Sequence, residues 1–317
     1  MQSRIWMDGL TDVGNIRANN EDSWWCGQMG GPFTTMEPAL APLLWEGGNP
    51  ALILVSDGVG GENAGEIASQ MAVNRMVGEL AREAAVFQDS GAAKILLEAM
   101  TVTNAAILAK AADPGFEAMG ATLSVLCLTS QTAFWAQVGD SRIYLFRDKQ
   151  LRQVSRDHSP VGRLRQKGQI TEAEARRHRL RNQIDQSLGD PIGSFKAESG
   201  GEEIRPGDIF LLCSDGLSDG LWDAQIAQIL GRIRRGEEVR PAVRQLVGQA
   251  KQASGRDNIT AVIAYVEAMP VAASHRLLGF FRGIKDEFRG KLPKVSLPTT
   301  REPDSTTRRR SWPPVSV

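Results

Sequence analysis

Residues 53–66 read ILVSDGVGGENAGE and combine the signals of a strand, a turn and a helix. An apolar run typical of a buried strand ends at Ser56, an Asp-Gly pair follows, and after further glycines the residues favour a helix. An Asp-Gly pair after a strand is most often a turn. The carboxylate of Asp57 is also placed to bind a ligand, and the glycines would let that ligand approach the backbone. The rest of the chain decides between a turn and a site.

The same pattern, a strand that ends on a carboxylate, recurs in the chain. In WAQVGDSR, residues 135–142, an apolar run leads into Asp140. In IFLLCSDGLSD, residues 209–219, another leads into Asp215. A further carboxylate, Asp257 in SGRDNIT, precedes the last apolar run. A single Asp at a strand end is usually a turn or cap residue, whereas several in one chain predict a shared site.

The segment RANNED, residues 17–22, adds Arg17, Glu21 and Asp22 after a turn-forming TDVG. If the strands lie side by side, the acids converge at one end of the sheets, and their repulsion is costly without cations between them. Carboxylates without histidine or cysteine favour Mg²⁺ or Mn²⁺. None of the three histidines is spaced as a ligand pair, so no zinc site is expected.

Short apolar runs predict strands at 51–55, 122–128, 133–138, 143–146, 208–213 and 259–266. The runs between 122 and 146 are separated by short turns, so we expect them to pair as an antiparallel meander. Helical periodicity appears at 64–80, 96–107 and 239–250. Strand clusters with helices between them predict a layered sandwich of antiparallel sheets flanked by helices.

The composition is that of an ordinary soluble globular chain. Of its 317 residues 42% are hydrophobic and 23% charged, and Lys plus Arg equals Asp plus Glu at 37 each. This balance gives no indication of a nucleic-acid partner. Three widely separated cysteines are expected to be reduced thiols. Neither a signal-peptide pattern nor an apolar stretch of about 18 residues is found, which predicts a cytoplasmic protein.

The chain is predicted to have two parts. Residues 1–267 contain all the predicted strands and form the globular domain. Within it, 156–190 is crowded with charge, and Thr171 with Glu174 predicts a capping box that opens a short helix. In the tail, 268–317, HRLLGFFRGIKDEFRG would form a basic amphipathic helix before a terminus expected to be disordered. That helix docks on an anionic membrane surface or a partner protein, or packs on its own domain.

Six motifs in order resemble the metal-dependent serine/threonine protein phosphatases of the PPM (type 2C) class, in their bacterial form. They are TDVGxxRxxNED, SDGVGG…GE, GATLS, VGDSR, CSDGLSD and GRDNIT. The resemblance covers about residues 5–267. It implies an α+β fold, a four-layer α-β-β-α sandwich with two central antiparallel sheets flanked by helix pairs. The metal site is expected at one edge of the sheets.

The resemblance also implies roles for individual residues. Asp57 is expected to bridge two Mn²⁺ or Mg²⁺ ions, and Gly58 to bind one of them through its carbonyl oxygen. Asp215 and Asp257 are expected to ligate the first ion. A water held between two such ions ionises near neutral pH and would attack the phosphorus atom directly, so that no covalent phosphoenzyme is needed.

The remaining site residues are assigned on the same basis. Asp22, with Glu21 nearby, is expected to hold the second ion largely through water, and Asp140 resembles the ligand of a third, weaker ion. Arg17 resembles the family's phosphate-binding arginine, whose planar guanidinium can bind two phosphate oxygens. The segment 156–190 matches the flap beside the active site. Its charge is either a solvated surface or a means of recognising acidic phosphopeptides.

The resemblance leaves the general acid open. Some relatives carry histidine after the bridging Asp-Gly or after the following Gly-Gly, and Val59 and Glu62 stand at those positions here. The expected partners are phosphorylated proteins, namely a serine/threonine kinase and its targets, and the expected state is a monomer. The alternative is a catalytically silent scaffold of the same fold that binds phosphoproteins. Because all the expected metal-binding acids are present, we favour the enzyme.

Overall fold

Strands with apolar residues on both faces form the centre of the protein in the computed structural model. The structure describes residues 4–31, 42–60, 64–84, 87, 91–117, 119–190 and 195–268, within a unit spanning Met1–Val271. In the strand Ile259–Ala268, neighbouring residues contribute to different cores, Val262 to one and Ile263 to another. This period of two is expected of a strand covered on both faces.

The strands form two antiparallel sheets. In chain order they are β1 (Arg4–Asp12), β2 (Asp22–Gln28), β3 (Leu43–Trp45), β4 (Ala51–Val59), β5 (Gly120–Ala121), β6 (Leu123–Leu128), β7 (Thr132–Val138), β8 (Arg142–Arg147), β9 (Gln150–Gln153), β10 (Glu198–Glu203), β11 (Ile209–Cys213) and β12 (Ile259–Ala268). The first sheet has the order β3-β1-β12-β11-β8-β9. The second has the order β10-β7-β6-β4-β2, with β5 paired to β4.

Helices cover the outer faces of both sheets. They are α1 (Ala64–Glu83), α2 (Ala92–Lys110), α3 (Pro160–Gln166), α4 (Glu172–Ala175), α5 (Asp215–Gly220), α6 (Asp223–Leu230) and α7 (Val239–Ala253), with a 3₁₀ turn at Gly236–Glu238. The first two pack on the second sheet, and α5 to α7 pack on the first. The predicted helices at 64–80, 96–107 and 239–250 correspond to α1, α2 and α7.

Among the described residues, three apolar cores separate the four layers. One lies between α1, α2 and the second sheet, where Leu54 meets Met76. The middle core joins the two sheets, with Val55 on one side and Phe210 on the other. The third lies between the first sheet and α7. The α-β-β-α sandwich predicted from the sequence is therefore confirmed.

One pairing prediction is wrong. The runs between 122 and 146 do not form a single meander, because β6 pairs with β7 whereas β8 pairs with β9 and β11 in the other sheet. The chain changes sheet at Gly139–Ser141, where Gly139 has a φ of 97° that favours glycine. Packed sheets lie ~10 Å apart, a distance that three extended residues can span. A short connection alone does not distinguish a hairpin from a change of sheet.

The capping box at the start of α4 is confirmed. Thr171 Oγ1 accepts a hydrogen bond from Glu174 N at 3.2 Å, and Glu174 Oε2 accepts one from Thr171 N at 2.7 Å. Two backbone donors at the helix start are thereby satisfied.

Helix α2 is long and apolar enough to cross a membrane by length and composition alone. In this structure Leu96, Met100 and Ile107 are fully buried in the core that α2 shares with α1. The helix therefore packs as a core helix of the sandwich. The predicted tail, apart from the backbone of Ala268, lies outside the described residues, so its predictions and the domain boundary remain predictions.

Candidate metal centre

Asp22 and Asp57 face each other across two neighbouring strands. Asp22 begins β2, Asp57 lies near the end of β4, and the antiparallel register pairs them directly. Residues opposed in this way have Cβ atoms ~4.5–5.5 Å apart. Two carboxylates at that separation repel each other unless protons or cations lie between them.

The buried carboxylate of Asp22 connects the two sheets. Its Oδ2 accepts hydrogen bonds from Ser214 Oγ at 2.7 Å and from Thr260 Oγ1 at 2.6 Å. Both donors lie at the same end of the two central strands of the first sheet, since Ser214 follows β11 and Thr260 is the second residue of β12. The two hydroxyls hold the carboxylate at the junction of the sheets.

The other strand-end acids approach the same edge from different elements. Asp215 is the first residue of α5, directly after β11 and Ser214. Asp140 lies in the turn that leads from β7 to β8, and Asp257 lies two residues before β12. The negative charges of Asp140, Asp215 and Asp257 all act on Asp57. We call Asp22, Asp57, Asp140, Asp215 and Asp257 the carboxylate cluster.

Burial and mutual repulsion raise pKa values in the carboxylate cluster. Burial raises the pKa of Asp57 well above its ordinary value, and the charges of the four other members raise it further. Burial also raises the pKa of Asp215 well above its ordinary value, and the charges of neighbouring carboxylates raise it further. Burial is the largest cause at Asp22, whose pKa rises to about 6, and at Asp140, whose pKa rises to about 7. Full ionisation of the cluster is therefore costly, and a bound cation would offset that cost.

Two buried oxygens indicate where a cation would fit. Among the described residues, Oδ1 of Asp22 and Oδ1 of Asp215 are buried without a hydrogen-bond partner. Buried polar atoms almost always have a partner, and hard divalent cations bind carboxylate oxygens. Within the same ranges, no three His, Cys, Asp or Glu side chains are arranged to hold an ion by themselves. Backbone oxygens and water would therefore complete the coordination.

Gly58 brings the backbone of β4 close to two neighbours. Its N–H donates to the carbonyl oxygen of Glu21 at 3.1 Å. A Cβ atom at this position would overlap the carbonyl oxygen of Gly65 in α1 and lie 2.9 Å from that of Glu21. The Glu21 side chain lies against Gly65, and burial raises its pKa. The close approach requires glycine at position 58.

We expect Gly58→Ala to destabilise the protein by about 1–3 kcal/mol, because the added methyl group must displace backbone. The matched control is Gly78→Ala within α1, where a Cβ would meet nothing within 4 Å. That change should stabilise the helix by about 0.5–1 kcal/mol. Urea denaturation of both variants measures the difference. Equal stability of the two variants would show that the contact around Gly58 relaxes freely.

Arg17 lies beside the carboxylate cluster. Its Nη2 donates to Asp257 Oδ2 at 2.8 Å, while half of the side chain, 50%, remains exposed. The hydrogen bond to Asp257 raises the pKa of Arg17, and the charges of Glu21 and Asp57 act in the same direction. The guanidinium is thus held by one carboxylate of the cluster and remains accessible to an anionic ligand.

Two residues that organise this edge were not among the predicted site residues. Asn258 donates from Nδ2 to the carbonyl oxygens of Val13 and Asn19, both at 3.0 Å, and accepts from Glu21 N at 2.8 Å. Thr122 Oγ1 accepts from Asp57 N at 2.9 Å. Both belong to the motifs GRDNIT and GATLS, which is the signal that could have identified them.

The segment 156–190, which we call the flap, closes one side of the cluster. A cavity of about 50 Å³ lies between them, room for a few water molecules. Its walls include Asp140 and Asp215 from the cluster and Arg165 and Arg176 from the flap. Val59, at one of the positions discussed for a general acid, is exposed. Glu62, at the other, lies outside the described residues.

Comparison with known proteins relates the whole sandwich to one family. A family model described as protein phosphatase 2C matches residues 39–262. The serine/threonine protein phosphatase PstP of Mycobacterium tuberculosis is 32% identical over 277 residues, which are 83% of this chain and 46% of that protein. The chain thus spans about half the length of this curated relative. A putative protein phosphatase 2C-type of Streptococcus pyogenes is 31% identical, with 82% of this chain and 97% of that protein covered.

Solved structures give the same relationship. The catalytic domain of a serine/threonine protein phosphatase PstP, in complex with two manganese ions, superimposes with a TM-score of 0.66 at 31% identity. The comparison covers 84% of this chain and 100% of that one.

Proposed function

Because the chain belongs to the protein phosphatase 2C family, we propose that it hydrolyses phosphoserine and phosphothreonine in proteins with the help of divalent metal ions. The observation that carries the proposal is the carboxylate cluster, with unpaired buried oxygens on Asp22 and Asp215. A protein that had lost metal-dependent chemistry would gain stability by replacing these mutually repelling acids. Their presence at one edge supports a retained catalytic site.

The donor set supports Mn²⁺ or Mg²⁺ as the cofactor. Asp57, Asp215 and Asp257 would hold one ion, and Asp57 with Gly58 the second, for which the PstP structure with two manganese ions is the precedent. Asp22 and Glu21 would contribute to the second ion through water. We extend the proposal to a third ion at Asp140. When bound, the paired ions supply an ionised water as nucleophile and neutralise charge on the phosphoryl group.

The chain's own residues orient the substrate and shape the site. The exposed part of the Arg17 guanidinium would bind two oxygens of the phosphoryl group, which its planar donors fit. Asn258 holds the loop that carries Arg17 against the loop that carries Asp257. Asp22 is kept in place by the hydroxyls of Ser214 and Thr260. These contacts preorganise the site, which lowers the cost of orienting the reacting groups.

The physiological substrate follows from the family and not from any residue described. We propose phosphorylated proteins, in particular a serine/threonine kinase and its targets, as partners of a monomeric enzyme. The three cysteines are free thiols, which fits the reducing cytoplasm that we propose as its location. Docking on a membrane surface or a protein through 268–317 remains a prediction from the sequence.

Hydrolysis of an aryl phosphate and of phosphothreonine peptides by the purified chain tests the proposal. We expect phosphate release with Mn²⁺ and none after chelation with EDTA. Binding of the peptides without hydrolysis at any divalent-ion concentration would instead identify a silent scaffold. Hydrolysis that persists in EDTA would overturn the metal-dependent mechanism.

Replacement of Arg17 by Lys keeps the charge but removes the paired donors. We expect kcat/KM to fall about 10- to 100-fold, because one charge-assisted hydrogen bond contributes about 1.5–3 kcal/mol. Inorganic phosphate should become a weaker inhibitor by a similar factor. The control is Arg256→Lys, an exposed arginine beside Asp257, which should change neither quantity. Similar kinetics for both variants would remove Arg17 from the phosphate site.

A further inference from the structure

Partly buried polar contacts around Asp223, the first residue of α6, join the flap to the rest of the protein. Asp223 Oδ1 accepts a hydrogen bond from Tyr144 Oη at 3.2 Å, and Oδ2 accepts one from Arg165 of the flap at 2.5 Å. Its backbone N–H donates to Glu172 Oε1 of the flap at 3.2 Å. Flap helices α3 and α4 therefore both contact the start of α6.

Arg176, the residue that follows α4, makes three polar contacts, two of them with backbone outside the flap. Its Nη1 donates to the carbonyl oxygen of Asp219 at 2.8 Å, and Nη2 donates to that of Leu221 at 2.5 Å and to Glu172 Oε1 at 2.9 Å. The guanidinium also lies 4.2 Å from the ring centroid of Trp222, which is 42% exposed. The Arg176 side chain itself is only 18% exposed.

The two carbonyl oxygens that Arg176 binds lie at the end of the short helix α5, Asp215–Gly220. The last carbonyls of a helix have no partner within it and depend on side chains or water. The other end of α5 receives no compensating cap: in the described structure Ser214 makes no side-chain cap, and its hydroxyl donates to Asp22. A side chain from the flap thus secures the helix that begins with Asp215.

We propose that Arg176 is a positioning residue that couples the flap to the metal centre by holding α5, and with it the carboxylate of Asp215. The inference rests on the proposed function for the role of Asp215, while the flap contact itself does not depend on it. Loss of Arg176 leaves two backbone acceptors and Glu172 without this donor and exposes more of Trp222. The carboxylates of α5, Asp215 near its start and Asp219 near its end, are then held less firmly.

Arginine is required at this position because one planar group serves three acceptors and stacks on an aromatic ring. Lysine would retain the charge and one or two hydrogen bonds without the stacking. Residues that orient metal ligands without touching the metal typically contribute about 10- to 100-fold to metal affinity. The packing of Leu217 and Leu221 in the core retains α5 in place, so we expect an effect at the lower end of this range.

The test compares Arg176→Gln with Arg177→Gln. The two arginines are adjacent and each change removes one charge and one trypsin site, but Arg177 is exposed. For Arg176→Gln we expect trypsin to cut the flap several-fold faster. The Mn²⁺ concentration needed to produce a given thermal shift should rise about tenfold. Arg177→Gln should match the wild type in both measurements, and Arg176→Lys should lie between them.

Each result is decisive. Equal behaviour of the two glutamine variants refutes the role of Arg176 in holding the flap. Faster flap cleavage with an unchanged Mn²⁺ requirement for a given thermal shift refutes the coupling to the metal centre. If Arg176→Gln does not fold, flap cleavage and the Mn²⁺-dependent thermal shift are measured on Arg176→Lys instead. Wild-type values for that variant refute the proposal. Neither measurement requires catalysis, so a failure of the proposed phosphatase activity would be seen separately in the wild-type assay.

Discussion

Replacement of Asp57 by Asn is expected to lower Mn²⁺-dependent phosphate release at least about a thousandfold, because the stabilisation that a bridging metal pair supplies is several kcal/mol. The charges of all four other members of the carboxylate cluster act on Asp57. An amide has one oxygen and no charge, so it cannot bind two cations equally. Initial rates with an aryl phosphate over a range of Mn²⁺ concentrations measure the loss.

The same variant should be more stable than the wild type in EDTA. Burial and four like charges disfavour the ionised form of Asp57, and the amide removes that repulsion while it retains the shape. The matched control is Asp148→Asn in the exposed turn between β8 and β9, where the backbone has a φ of 51° that Asn tolerates. Activity above a few per cent in Asp57→Asn, or stability in EDTA below that of Asp148→Asn, would contradict the assigned role.

Four acids of this site could be predicted from their positions beside apolar runs, since Asp57, Asp140 and Asp215 follow such runs and Asp257 precedes one. The apolar run of β4 is a local property of the sequence, and the carboxylate of Asp57 that follows it can be identified without knowledge of its partners. Their placement in one cluster was an inference from strand ends, and the register that sets Asp22 opposite Asp57 required the structure. The predicted β7–β8 pairing failed because a three-residue connection fits either a hairpin or a change of sheet.

Side-chain partners distant in the sequence could not be predicted at all. Arg17 and Asp257 are separated by 240 positions, and the bond between them depends on how two loops meet after folding. The contact of Arg176 with the end of α5 spans 43 positions and arises only when the flap packs on the sandwich. The composition identified the flap as charged, yet it did not distinguish the partly buried Arg176 from the exposed arginines.

The protein stripped of divalent ions is expected to lose stability as the pH rises from about 4 to beyond 7. The pKa of Asp22 rises from 3.8 to about 6 in the folded protein and that of Asp140 from 3.8 to about 7. An acid whose pKa is raised on folding binds its proton more tightly in the native state. Its stabilising contribution is complete below the unfolded pKa and is lost as the pH passes through the folded one.

Divalent ions should reverse this trend, because they bind the ionised carboxylates and compete with protons. At a Mn²⁺ concentration about a hundredfold above Kd, we expect a gain of about 2.7 kcal/mol, or a rise in Tm of about 5 °C or more, near pH 7.5. At pH 5 the rise should be much smaller, since Asp22 and Asp140, whose pKa values are about 6 and about 7, are then largely protonated. Thermal melts at both pH values, with EDTA and with Mn²⁺, measure the effect.

Asp57→Asn distinguishes the contribution of the carboxylate cluster to the pH dependence of stability from the contribution of other titrating groups. Because the amide removes one of the most strongly perturbed carboxylates, the fall in stability with pH in EDTA should become shallower and the Mn²⁺ shift smaller. The positive charge of Arg17 offsets the negative charge of Asp257, and lysine keeps that charge. Arg17→Lys should therefore show the same fall in stability with pH as the wild type. A wild-type protein whose stability in EDTA is constant or rises between pH 4 and 7 would mean that the carboxylates are farther apart or better solvated in solution. The electrostatic basis for a metal centre at this edge would then be lost.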